Sequence, residues 1–178
     1  MNFKKIIFLI IFLFTNISIA QQEIEIQRKY TVEIERLVKN KKIKAAFAKI
    51  KELEPKTMKR HISLTEIPSP PFKESKRAAA FANHFKELGV DSLWIDSEGN
   101  VLGLFKGSKG NRTIALDAHL DTVFPEGTDV KVNIKNDTLF APGIGDDTRG
   151  LSMILTLIET MKATGIKPKE NILFIGSV

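Results

Sequence analysis

The chain has no cysteine, a single tryptophan and only three histidines. Without cysteine there can be no disulfide, no thiolate zinc site and no lipid-modified cysteine anchor, so an exported fold would have to rest on its core. Long apolar runs are scarce as well. Ile6 to Phe14 gives nine consecutive apolar residues, whereas a membrane span needs about 20. A large excess of one charge is also missing, the formal net charge being +6. The basic cluster Lys39, Lys41, Lys42 and Lys44 carries no interleaved aromatics. That pattern reads as a solvated helix face, and no nucleic-acid partner is expected.

What is present begins with a charged start at Lys4 and Lys5, the short apolar run, and a small-x-small site at Ser18-Ile19-Ala20. This is the anatomy of a secretory signal peptide over residues 1–20. The expectation is an exported protein, periplasmic or secreted, beginning at Gln21 and free of the membrane after cleavage. Loss of the two lysines takes the formal charge to +4. At 43% apolar residues, one domain of this size can bury a core.

Tyr30, Ile34, Leu37 and Val38, then Ile43, Phe47, Ile50 and Leu53, recur at three- and four-residue steps. They predict an amphipathic helical leader over 21–60, broken at Pro55. His61 falls in a polar linker on this reading. Ile67-Pro68-Ser69-Pro70-Pro71-Phe72 cannot be helix, because its prolines remove donors and restrict their neighbours. A helix follows with Ala78, Phe81, Ala82, Phe85 and Leu88 on one face, stopped at Gly89. Val90–Ile95 and Val101–Lys106 read as strands joined through Ser97-Glu98-Gly99-Asn100. Thr113–Leu116 reads as a short strand, and 131–140 as a polar hairpin turning at Lys135-Asn136-Asp137. Leu151, Ile154, Leu155, Ile158 and Met161 mark a helix ending at Gly165. Asn171–Val178, almost wholly apolar, suits a strand buried on both faces. The fold class expected is α/β, a mixed, mostly parallel sheet flanked by helices and truncated at the carboxyl end.

The chemistry gathers in two stretches, Ala118-His119-Leu120-Asp121-Thr122 and Pro142-Gly143-Ile144-Gly145-Asp146-Asp147. Imidazole nitrogen and carboxylate oxygen are the usual ligands of catalytic zinc. A His-x-Asp step lets the carboxylate orient the ring, since metal-bound histidines usually donate their other N–H to a carboxylate or carbonyl. Both stretches fall at the ends of predicted strands, where ligands collect in open α/β sheets.

The pattern AHLDTVFP, then APGIGDDTRG about 27 residues later, then ILFIGSV, resembles the dizinc exopeptidase family. That family includes aminoacylase, the glutamate carboxypeptidases, succinyl-diaminopimelate desuccinylase and tripeptide aminopeptidase. EIPSPPFKE and its following helix resemble the family's entry segment, so the match runs roughly from Ser63 to Val178. The resemblance makes residues 61–178 the N-terminal portion of a metallopeptidase catalytic domain with a zinc-exopeptidase-like sandwich. It implies a zinc-dependent cleavage of the amide bond in a peptide or N-acyl amino acid, with two zinc ions per complete site and cobalt or manganese able to substitute.

Residue by residue, the resemblance implies His119 as a ligand of one zinc, Asp121 as the catalytic carboxylate that orients it, and Asp146 as the bridge between metals. A cis Asp146–Asp147 peptide is implied too. The family usually has Lys two places after the bridging Asp, where this chain has Thr148. A register shifted by one would make Asp147 the bridge, but Asp146 keeps Gly150 at its expected place at the helix start. The family's general base, the first Glu of a Glu-Glu pair, would lie just beyond Val178, as would the remaining ligands and a domain through which a homodimer forms. The alternative is a non-catalytic or truncated relative that keeps the fold without activity. Asp117 reads as structural, His61 and His84 as non-functional, Arg149 as a surface residue and Trp94 as strand packing.

Overall fold

The computed structural model describes residues 26–178, so the signal-peptide expectation for 1–20 lies outside the described residues. The chain divides into two compact units between Lys39 and Asn40. The first contributes helix α1 (Arg28–Lys39), none of whose residues is buried. Residues from Asn40 onward form the second unit.

That unit opens with α2 (Lys41–Glu52), whose N-cap Asn40 accepts hydrogen bonds from the amides of Lys42 and Ile43. Helix α3 (Glu54–Thr65) follows directly. Pro55, expected as a breaker, lies in the first turn of α3, where a missing N–H costs nothing because that amide has no intrahelical acceptor. His61 therefore sits on a helix and is buried, not in a polar linker. Helix α4 (Ser75–Leu88) ends at Gly89 in the left-handed conformation.

Next come β1 (Ser92–Ile95), β2 (Val101–Phe105) and β3 (Thr113–His119). The hairpin strands β4 (Asn133–Lys135) and β5 (Thr138–Phe140) form a separate sheet. Helix α5 (Thr148–Thr164) and strand β6 (Asn171–Ser177) complete the unit. The main sheet has the order β1-β2-β6-β3. Strand β6 runs parallel to β3 and antiparallel to β2, which is antiparallel to β1, so the sheet is mixed.

Strand alternation puts Val101, Gly103 and Phe105 of β2 and Phe174 and Gly176 of β6 on one face. That face carries the core, with α4 and α5 packed on it through Phe81, Phe85, Leu151, Leu155 and Ile158. Phe81 lies against Gly176 and Phe85 against Gly103, where added β-carbons would stand 2.8 and 2.6 Å from the rings. Each buried side chain of this size contributes about 1.5–3 kcal/mol. Helices α2 and α3 pack on α5 from outside. The expectation that β6 is buried on both faces holds for one. Phe174 and Gly176 are buried, while Leu173 and Ile175, which point the other way, are half-buried. No helix among the described residues is long and apolar enough to cross a membrane.

Candidate metal centre

Strand β3 is longer than its apolar residues foretell, because hydrogen bonding to β6 continues through Asp117 and Ala118 to His119, which pairs with Ser177. His119 is thus the last residue of a rigid strand. The next amide, Leu120 N–H, donates to Ser177 O at 2.6 Å, and Thr122 N–H donates to Ser69 O at 2.8 Å. Asp121 is held between these two ties. It offers its carbonyl O and its Oδ1 to His119 Nδ1, each at 3.1 Å.

The second stretch reaches the same place from the start of α5. Asp146 Oδ1 lies 2.8 Å from His119 Nε2. Asp147 turns the other way and caps α5, accepting from Gly150 N–H at 3.0 Å. The two carboxylates therefore divide: Asp146 faces the histidine, and Asp147 satisfies a helix end. The peptide between them is cis. Gly143 lets the loops meet, since a β-carbon there would stand 2.7 Å from Thr122 Cγ2, and its φ of +74° suits glycine.

Both ring nitrogens of His119 face carboxylate oxygens, so both are hydrogen-bonded when the ring is protonated. Partial burial opposes that charge. The hydrogen bond to Asp146 and the charge of Asp121 outweigh it and raise the His119 pKa above its ordinary 6.5. A cation would compete for the same place as the proton on Nε2. Zinc bonds of about 2.0–2.1 Å set tetrahedral ligand atoms about 3.3 Å apart. Asp146, whose side chain is 90% exposed, has room to open by that difference. The donor types and their convergence fit a zinc ion. In number they are two, and among the described residues no three His, Cys, Asp or Glu side chains are grouped so that they could hold a metal ion.

Asp117 accepts from Ser177 Oγ at 3.1 Å. His84 pairs with Glu87 on α4. Trp94 is 43% exposed on the edge strand, a looser place than strand packing implies. Sequence reasoning passed over the residues behind the loops. His61 Nε2 donates to Ile144 O at 2.6 Å. Thr65 and Thr148, both fully buried, join their hydroxyls at 2.7 Å, and Thr148 Oγ1 reaches Gly143 O at 3.0 Å. Arg77 is fully buried beneath Leu120. Its signal was legible: it stands four residues before Phe81 and eight before Phe85, on the apolar stripe of α4.

Residues 115–178 match the model of Peptidase family M20/M25/M40, and the resemblance read from the two motifs is borne out over that stretch. Carboxypeptidase G2 of Pseudomonas sp. (strain RS-16) is 33% identical over 89 residues, which is 46% of this chain and 21% of that protein. The aminopeptidase PepT from Bacillus cereus has 26% identity and a TM-score of 0.60, covering 68% of this chain and 35% of its own. Human carnosine dipeptidase 1, at 16% identity, shares the fold, with a TM-score of 0.64 over 74% of this chain and 33% of its own. The chain thus spans about a fifth to a third of the length of these proteins. The zinc-exopeptidase-like mixed α/β fold expected from the sequence is the fold found.

Proposed function

We propose that this chain forms part of a metal-dependent exopeptidase that cleaves the amide bond of a peptide or N-acyl amino acid. The observation that carries the reading is the convergence of His119 Nε2 and Asp146 Oδ1 at 2.8 Å, with Nδ1 held by Asp121. His119 would hold one zinc through Nε2, and Asp146 would bridge it to a second. When bound, the metal would polarise the substrate carbonyl and lower the pKa of a bound water. Asp121 keeps the neutral ring protonated at Nδ1, which leaves the Nε2 lone pair facing outward. Strand β3 and the cap at Asp147 fix where the two donors stand. None of the residues 26–178 is assigned the general base.

A second reading is a relative that keeps the fold without the reaction. On the full-length protein, zinc titration with a chromogenic chelator, alongside hydrolysis of dipeptides and N-acyl amino acids, separates the readings. The enzyme reading expects zinc uptake lost in His119→Ala and Asp146→Ala and kept in Asp147→Asn. Uptake unchanged by Asp146→Ala refutes the bridge, and zinc uptake without hydrolysis of any substrate favours the second reading.

Export is part of the proposal, supported by Lys4, Lys5, the apolar run and Ser18-Ile19-Ala20. Mass spectrometry of the exported fraction should find Gln21 at the amino terminus. Met1 to Ala20 still attached there would argue for an anchor. A homodimer is proposed only by resemblance to the family, and light scattering tests it.

A further inference from the structure

We propose that Arg77 is a positioning residue for this site, fixing the Leu120–Thr122 turn so that Asp121 meets His119 Nδ1 and leaves Nε2 to a ligand. The proposal deepens the metal reading and rests on it for the ligand. Arg77 is fully buried on α4. Its Nη1 donates to Leu120 O at 2.6 Å, and its Nη2 donates to Ile67 O at 2.6 Å and to Thr65 O at 3.4 Å. Among the described residues it forms no ion pair.

A buried guanidinium without a carboxylate in contact is costly, and three carbonyls alone are a modest return for it. The placement explains the choice of residue. Leu120 O belongs to the peptide linking Leu120 to Asp121, so the guanidinium fixes the plane from which the Asp121 side chain departs. The amide side of Leu120 is tied to Ser177, and Thr122 is tied to Ser69. Arg77 supplies the remaining restraint. Helix α4 anchors it, because Phe81, one turn on, is locked against Gly176 of β6. The positive charge also acts on Asp121. Burial lowers the Arg77 pKa to about 10 while the Asp121 charge opposes that fall, so Arg77 stays charged at neutral pH. Lysine would keep the charge but, as a single point donor, could not hold the planar fork across two chain segments.

A merely structural brace would lower stability and leave folded molecules with an unaltered His119. The test uses the full chain with ¹⁵N-labelled histidine, at a pH where His119 is neutral. Long-range ¹H–¹⁵N spectra should show the Nδ1–H tautomer dominant in the wild type and a mixture in Arg77→Lys. Zinc affinity, read by chelator competition, should weaken about 10–100-fold, the range typical for groups that orient a ligand. Arg77→Lys combined with Asp121→Asn should be no weaker than Asp121→Asn alone, within twofold. An unchanged tautomer and a zinc affinity within twofold in folded Arg77→Lys overturn the proposal. Should Arg77→Lys fail to fold, Asp121→Asn decides, since it leaves Arg77 in place. With ¹⁵N-labelled arginine, the Arg77 guanidinium resonances should shift in that variant, and unmoved resonances overturn the proposal. If the wild type binds no zinc, the metal reading fails, and the tautomer still reports on Arg77.

Discussion

Replacing Gly143 by alanine tests how the two motif loops are brought together. The new methyl would stand 2.7 Å from Thr122 Cγ2, on a backbone with φ of +74°. Thr122 cannot swing away, because it is 3% exposed and both its amide and its Oγ1 donate to Ser69 O. A non-glycine residue in the left-handed region costs about 1–2 kcal/mol. Overpacking adds about 1–3 kcal/mol, so Gly143→Ala should destabilise by roughly 2–5 kcal/mol. Thr122→Ser removes the obstructing methyl, keeps the hydroxyl, and alone costs about 0.8 kcal/mol. In the double variant the overlap disappears and the backbone strain stays. The cycle should therefore show a favourable coupling of about 1–3 kcal/mol, read by urea unfolding with circular dichroism. Additivity within about 0.5 kcal/mol would mean that the loops do not abut at Thr122.

Asp147→Ala should cost about 0.5–2 kcal/mol through loss of the α5 cap, while His119 still pairs with Asp146; loss of zinc uptake in that variant would contradict the division of roles. Phe81→Ala should cost about 3–5 kcal/mol, and a loss under about 1 kcal/mol in urea unfolding would refute its place over Gly176. The histidines give opposing pH dependences. Burial lowers the His61 pKa, its hydrogen bond to Ile144 opposing and Arg149 assisting, so its contribution is present above the ordinary 6.5 and is lost as pH falls through the folded value. The raised pKa of His119 gives a contribution that is full below 6.5 and lost as pH rises through its folded value. In His119→Gln, stability should fall on acidification below pH 6.5. In His61→Gln that fall should vanish between pH 6.5 and about 5, above the carboxylate range, and urea midpoints at those two values check both.

The sequence disclosed elements and chemistry more readily than assembly. The stripe from Ala78 to Leu88 and the stop at Gly89 were plain because helical period and a left-handed cap are local properties. His119, Asp121 and Asp146 stood out because their spacing is unusual for a surface. Pro55 misled, since a proline suits the first turn of a helix as well as the end of one. His61 looked solvated because its burial depends on α5 covering α3, a contact between distant segments. The extension of β3 to His119 depends on pairing with β6, which no alternation within Thr113–His119 records. Arg77 was overlooked because charge outweighed its position on the apolar stripe.

The place of β6 also orders events during synthesis. Thr113 pairs with Asn171, and Val101 with Gly176, so the centre of the sheet is the strand made after all the others described. Until it leaves the ribosome, β3 has no partner in its sheet and the β1–β2 hairpin lacks its inner neighbour. Non-local pairing of this kind delays folding, and exposed edges invite wrong contacts while it waits. The sheet among the described residues therefore cannot close before Ser177 has emerged from the ribosome.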